Sequence, residues 1–323
     1  MGVKQKKDKI TDSFKGQKRM YQNIEYLKIK IYESSSFQKK KLELFFESRE
    51  STFLDEFELF LKDYIMYLNK NNMTIEYGID AYLKMVNDMF KSQVKFMRTG
   101  KYPVSKTSEA IDNVYNDKKE MLSYMIGLAL SQYLWSTHYE MFNHLKDELE
   151  KNKKSIKNYL EIGPGHGLFL KNAIDILDKD TTMTAIDISP ISLEISKSII
   201  EYFYSSKNIE FINEDMLKLE LDSNCDFIVM GEVIEHVETP ELLLKKVSRL
   251  LSQNGKAFLS TCVNCPAIDH VYHFHTVDEI RNMFSKCGLE IVSEKVLPVE
   301  NLPMCEIVDK KITINYSAIV KRA

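Results

Sequence analysis

Three groups of residues in this chain have types and spacings that could do chemistry. The first is Gly163-Pro164-Gly165-His166-Gly167, which follows the apolar run Tyr159–Ile162 and precedes a helical pattern. Gly163 and Gly165 can take backbone angles closed to other residues, and without side chains they let a ligand approach the main chain. Gly167 would allow a helix to pack closely on a sheet. The spacing is GxGxG, not the GxGxxG of nicotinamide-binding proteins. A plain tight turn would also account for the glycines alone. Asp187 closes the next apolar run, roughly two dozen residues on, where an acidic side chain can accept two hydrogen bonds from a ribose diol. The competing reading is a helix N-cap, since Pro190 follows. Asp215 and Met216 close a third run and are placed to accept from an exocyclic amine and to cover a flat base.

The second group is histidine-rich. His236 follows a fourth run, and His270, His273 and His275 crowd the segment 266–280 after a fifth. Histidine is suited to proton transfer near neutral pH. His236, His270 and His273 are therefore candidate catalytic or substrate-touching residues. Thr276 to Glu279 reads as a capping box, so part of that segment is a helix start. The third group is aromatic: Tyr133, Trp135, His138 and Tyr139 lie on one helical stretch, 128–142. They form either a packed face or a lid over the site, and Tyr139 is the candidate side chain for contact with the reacting groups.

These residues need a scaffold that brings run ends together. From 157 on, apolar runs at 157–162, 182–187, 208–213, 225–231 and 256–262 alternate with helical patterns near 167–178, 190–204, 239–252 and 276–287. Such alternation predicts a parallel sheet covered by helices, with ligands at the carboxyl ends of the strands. Two more strands, near 289–297 and 311–320, are expected with no helix between them and an antiparallel finish at one sheet edge. Before residue 155 the pattern is helical: 37–70 with a break near Ser51, then 78–98, a turn at 100–103, and a long stretch over 118–151. The expected organisation is a basic tail over 1–20, a helical cap or substrate domain over 21–152, and an α/β catalytic domain over 153–323.

Composition narrows the function classes. The chain has 323 residues, 28% charged and 44% hydrophobic, with a net charge of -3. It reads as a folded globular protein with no global field for nucleic acid. Lys4, Lys6, Lys7, Lys9, Lys15, Lys18 and Arg19 make the first residues basic. That tail is read as solvated, not as a secretory or lipidation signal, since no apolar run follows and Lys6 breaks the myristoylation pattern. No run is long enough to span a membrane, and a cytoplasmic location is the expectation. The five cysteines are odd in number and irregularly spaced. Cys262-Val-Asn-Cys265 is a single CxxC with histidines close by, but a tetrahedral zinc site needs four ligands. Reduced structural thiols and no metal are expected.

The second half resembles the class I S-adenosylmethionine (SAM)-dependent methyltransferases, notably the small-molecule methyltransferases of the quinone-biosynthesis type. The likeness rests on Glu161-x-Gly163-x-Gly165-x-Gly167, Asp187, Glu214-Asp215-Met216 and Glu232-Val-Ile-Glu235-His236-Val. It implies a Rossmann-like α/β fold, with a seven-stranded, mostly parallel sheet, an antiparallel last strand and an all-helical cap ahead of it. It implies SAM as cofactor, with Glu161, Gly163 and Gly165 on its methionine side and Asp187 with Ile188 at the ribose. Asp215 with Met216 would meet the adenine, and Glu232 the sulfonium side. The expected activity is in-line methyl transfer to an oxygen or nitrogen of a small metabolite, with no nucleic-acid or membrane partner and room for a homodimer. Two alternatives stand beside it. One is a SAM-consuming cyclase that releases methylthioadenosine and a small cyclic amino acid of the azetidine-carboxylate type. The other is a non-catalytic SAM-binding scaffold.

Overall fold

The computed structural model describes residues 21–110, 117–204, 209–221 and 224–323. The basic tail lies outside the described residues. The chain divides into two compact units, one up to Leu83 and one from Lys84 onward. The change from helices to sheet near 153 is therefore not where the compact units part.

The first unit is helical. Helices α1 (Gln22–Ser34), α2 (Ser36–Glu47) and α3 (Ser51–Lys70) bury stripes at three- and four-residue spacing: Ile24, Leu27 and Ile31, then Leu42 and Phe45, then Phe53, Phe57, Leu61, Tyr64 and Leu68. Such stripes are what an amphipathic helix must cover. Glu58 on α3 accepts from the Asn23 and Ile24 amides at 3.0 Å each, so a carboxylate caps the start of α1. Helix α4 (Ile75–Thr99) continues past Leu83.

The second unit carries a seven-stranded sheet: β1 (Asn158–Ile162), β2 (Thr182–Asp187), β3 (Ile209–Asn213), β4 (Cys225–Gly231), β5 (Leu251–Val263), β6 (Leu289–Pro298) and β7 (Ile314–Arg322). The order is β3-β2-β1-β4-β5-β7-β6. The pairs among β1 to β5 are parallel, and β7 is antiparallel to both its neighbours. The antiparallel strand is thus the last in sequence, as expected, but it lies between β5 and β6 and not at the edge. A short helix, α12 (Met304–Asp309), joins β6 to β7 where no helix was expected; it starts after Pro303. The order reverses between β1 and β4, the switch point where open α/β sheets bind ligands.

Helices α8 (Leu168–Ile176), α9 (Pro190–Phe203), α10 (Pro240–Leu250) and α11 (Val277–Lys286) cover the sheet. The stretch read as one helix over 118–151 is two, α6 (Lys118–Leu134) and α7 (Ser136–Asn152), broken at Trp135, whose backbone is extended. A single turn, α5 (Thr107–Ala110), precedes them. Helix α7 is tied to the sheet. His144 bridges Ser317 and Ser293 at 2.9 Å each, and Lys256 pairs with Glu148 at 2.6 Å.

Candidate active site

The loops that follow β1, β2, β3 and β4 meet at one end of the sheet. Gly163, Gly165 and Gly167 all have positive φ (68°, 53° and 74°), so the turn after β1 needs all three as glycine. Their surroundings differ. A Cβ on Gly163 would come within 2.7 Å of Val233 in the loop after β4, and one on Gly167 within 2.7 Å of Ile199 on α9. A Cβ on Gly165 would meet Met125 of α6 at 3.6 Å and the Gly163 carbonyl oxygen at 3.9 Å, both ordinary contacts. Gly167 thus serves helix packing, as its position suggested, while Gly165 leaves its main chain approachable. His166 accepts from the Leu168 amide through Nδ1 at 3.1 Å, and its Nε2 lies 3.3 Å from the side-chain nitrogen of Gln132 on α6.

Glu161 is buried. Its carboxylate takes a 2.5 Å hydrogen bond from Tyr159, and burial pushes its pKa up to about 8. Asp187 ends β2 with both oxygens engaged, by the Ser189 amide at 2.8 Å and the Ser192 hydroxyl at 2.6 Å. Burial raises it to about 6 against the lowering effect of those bonds. The helix cap itself is Ser189, which accepts from the Ser192 amide. Asp187 is therefore free of the capping duty that competed with its ligand reading. A carboxylate oxygen has two acceptor sites, so each can take a further donor. Ile188 beside it is an exposed apolar side chain, at 49%. Asp215 is partly exposed; it accepts from the Leu217 amide at 2.9 Å and faces Lys218 at 3.7 Å. Met216 is buried in the sheet's hydrophobic core.

After β4 the backbone of Glu232 takes φ 54°, unusual for a residue with a side chain, and its amide donates to Ser260 Oγ at 3.1 Å. Its Oε1 is shut from solvent and has no hydrogen-bond partner. Burial, then the neighbouring Glu235, raise its pKa to about 8. Glu235 is fully buried, accepts from Thr261 through Oε2 at 2.8 Å, and is raised to about 7, chiefly by burial. Such sites disfavour negative charge without a compensating cation.

The histidines separate. His236 Nδ1 lies 3.0 Å from the Asp269 carbonyl, which fixes the proton on Nδ1. His270 Nδ1 lies 2.7 Å from the Cys265 carbonyl, and burial pushes this ring down to about 4. The His236 and His270 rings meet edge to face with centroids 4.8 Å apart. His273 stacks on Tyr102 at 4.5 Å, bonds Asn264 at 2.8 Å, and is also lowered to about 4, first by burial. Tyr139 packs against Tyr133 in an aromatic cluster of α6 and α7. The sequence reading missed Tyr124, Tyr102, Asp269 and the inward role of Glu235. Tyr124 lies near Asp269, Cys265, Cys262 and Glu235, and its hydroxyl is pushed well above the ordinary value, first by burial and then by those groups. None of these four stood out by spacing; the topology alone collects them.

The fold and the site define a class. The sheet order with β7 reversed, a glycine turn after β1, an acid at the end of β2 and a carboxyl-lined turn after β4 make a Rossmann-like, ligand-binding α/β domain. Residues 134–294 match the family described as a methyltransferase domain. This part of the chain carries a methyltransferase domain. The chain is 29% identical over 114 residues to the mitochondrial ubiquinone biosynthesis O-methyltransferase of Schizosaccharomyces pombe, covering 35% of this chain and 40% of that protein. It is 26% identical over 184 residues to malonyl-[acyl-carrier protein] O-methyltransferase 1 of Ilyobacter polytropus, covering 56% of this chain and 63% of that one. The chain thus spans less than two thirds of the length of either relative. The mitomycin 7-O-methyltransferase MmcR shares the fold, with a TM-score of 0.52 and 11% identity, covering 73% of this chain and 68% of MmcR. No helix among the described residues is long and apolar enough to cross a membrane.

Proposed function

We propose that this chain transfers the methyl group of SAM to an oxygen or nitrogen atom of a small biosynthetic intermediate. The observation that carries this reading is Glu232, a carboxyl group held in a left-handed turn with a solvent-shut oxygen that no protein group satisfies. It lies one residue from Val233, which abuts Gly163, and its carboxylate lies within 4.8 Å of Glu235 and Cys262. A cationic ligand would supply its missing partner. SAM when bound supplies a methyl group already activated by its sulfonium, so the protein need not create the electrophile.

What the chain's own residues would do follows. The main chain at Gly163 and Gly165 lines the methionine side, with Glu161 supporting the turn from beneath. The two remaining acceptor sites of Asp187 hold the ribose diol, each charge-assisted bond contributing roughly 1.5–3 kcal/mol. Ile188 covers the base from the solvent side, Met216 supports it from the core, and Asp215 accepts from its amine. Holding an acceptor in line and excluding water can supply roughly 7–11 kcal/mol of the barrier. Among the four catalytic candidates, His236 is the residue proposed as base. The Asp269 carbonyl holds its proton on Nδ1, so the lone pair is on Nε2. His270 and His273, lowered to about 4, are weak proton acceptors near neutral pH. Tyr139 is assigned to the aromatic packing that closes the site, not to proton transfer.

The test is mass spectrometry of the purified protein with SAM alone, then with a panel of phenol, carboxylate and amine acceptors. S-adenosylhomocysteine formed only with an acceptor supports methyl transfer. Methylthioadenosine formed from SAM alone overturns it in favour of the cyclase, and failure to bind SAM in favour of the scaffold.

A further inference from the structure

The loop after β5 holds a group of buried side chains that methyl transfer does not use. Cys262, near the end of β5, and Cys265, just beyond it, are free thiols, both buried, and His270 follows in the same loop. One ligand atom from each of the three lies within 4.8 Å of the other two. Cys262 Sγ is 3.6 Å from His270 Nδ1, and a metal bound through that nitrogen would displace its 2.7 Å bond to the Cys265 carbonyl. Carboxylate oxygens of Glu235 and Glu232 lie within the same 4.8 Å of Cys262. Glu235 is fully buried, and its Oε1 has no hydrogen-bond partner. Cys262 is thus shared by two such groups, one with Cys265 and His270 and one with Glu235, and Glu235 also groups with His270.

The chain is built to hold them there. Asn264, between the two cysteines, takes φ 50°, which turns the backbone between them. Its carbonyl accepts from Thr313 at 2.9 Å and its amide donates to Phe274 at 3.1 Å. The Val271 and Tyr272 amides both donate to the Glu235 carbonyl at 2.8 Å, fastening the loop to the turn after β4. In a tetrahedral site with metal–ligand distances of about 2.0–2.3 Å, ligand atoms stand about 3.3–3.8 Å apart.

We propose that Cys262, Cys265, His270 and Glu235 form a binding site for a single zinc-type ion. Mixed sulfur, nitrogen and oxygen donors in a buried, four-ligand arrangement suit a borderline-soft divalent ion and leave no open position, which marks a structural site. Two thiolates, one carboxylate and a neutral imidazole carry three negative charges; with a divalent ion the site keeps one. It adds no positive charge beside His236. Its role is to lock the loop after β5 to the turn after β4. The site stands on these side chains alone and does not depend on the methyl-transfer reading.

The test is metal binding by the full chain, read without any activity. Protein purified from zinc-supplied medium without chelator is expected to hold about one zinc per chain. Cobalt(II) exchanged into it should give the near-ultraviolet sulfur-to-cobalt band and strong visible bands of a tetrahedral site. Cys262→Ser and Cys265→Ser should abolish the sulfur band, whereas Cys305→Ser, at an exposed thiol, should leave it intact. Glu235→Gln should weaken cobalt binding by about tenfold or more. If the serine variants fail to fold, the wild-type cobalt spectrum and a competition with a colorimetric chelator decide by themselves. A wild-type protein that takes up no stoichiometric zinc and shows no sulfur-to-cobalt band overturns the proposal. So does a band that survives in a folded Cys262→Ser, Cys265→Ser double variant.

Discussion

Replacing Asp187 by asparagine separates its two duties. In the protein its oxygens accept from the Ser189 amide and the Ser192 hydroxyl, at 2.8 and 2.6 Å. Asparagine keeps one acceptor oxygen for the Ser189 amide, and the Ser192 hydroxyl can rotate to accept from the new amide. Folding stability should therefore change by less than about 1 kcal/mol. The ribose diol, in contrast, loses the charge on both bonds and one acceptor outright. A loss of about 3 kcal/mol corresponds to about a hundredfold weaker SAM binding. Alanine removes the protein's own two bonds as well and should lower the melting temperature, which asparagine should not. The pH dependence sharpens the test. Burial holds this carboxyl at about 6, above its ordinary 3.8. The diol needs the ionised form, so wild-type affinity should be level above pH 7 and fall by about tenfold per unit below 6. Within the protein alone the linkage has the opposite sense. The folded chain holds this proton more tightly than the unfolded one, so the stability it contributes is full below 3.8 and is lost as pH rises to about 6. Calorimetry of SAM binding from pH 5 to 8, beside thermal melts, measures both. An asparagine variant that binds SAM within about threefold of wild type, or that keeps the acid loss of affinity, refutes the placement of the ribose.

Gly167→Ala should cost about 1–3 kcal/mol of stability, because its Cβ would lie 2.7 Å from Ile199 and 3.2 Å from the Ser196 backbone. Gly165→Ala has room and strains only φ, so it should melt closer to wild type while losing more SAM affinity; melts and titrations on the two variants should rank them in opposite orders. His236→Asn is expected to lower kcat by about 10²–10⁴ with SAM affinity unchanged, measured by single-turnover methyl transfer once an acceptor is in hand. His144, bonded to Ser317 and Ser293, is lowered by burial to about 4. Below pH 6.5 the unfolded chain takes up a proton that the folded one refuses, so stability falls as pH drops towards 4, and His144→Gln should flatten that slope in melts.

The β-strand runs, the helices between them and the glycine turn were legible because each is a local pattern. Gly163, Asp187 and Glu232 stand where their order along the chain placed them. Other features depend on what meets what. The break at Trp135 interrupts a continuous apolar pattern, because each half of the stretch packs on a different surface: α6 beside Gly165 and His166, α7 along the sheet. The place of β7 between β5 and β6 leaves no trace in spacing, since any antiparallel finish would read alike. Tyr124 and Asp269 are single residues of common types, and only folding sets them beside Glu235. The histidines shared one signal, their density, but their partners separate them: His236 bonds the Asp269 carbonyl, His270 the Cys265 carbonyl and His273 the Asn264 side chain, and those partners belong to the tertiary fold. The CxxC was visible as a pair; of the partners proposed for it, Glu235 comes from another loop.

The strand that completes the sheet comes last of the seven in sequence. β7 pairs with β5 along 256–263 and with β6 along 289–298, so neither of those strands has its neighbour until residues 314–322 exist. Until then β5 is an open edge lined with apolar residues, the kind that recruits stray strands. His144 lacks Ser317, and the carbonyls of Ser248, Arg249 and Leu251 lack Arg322. Pairing within this half therefore waits for β7, and removing that strand alone would open the middle of the sheet.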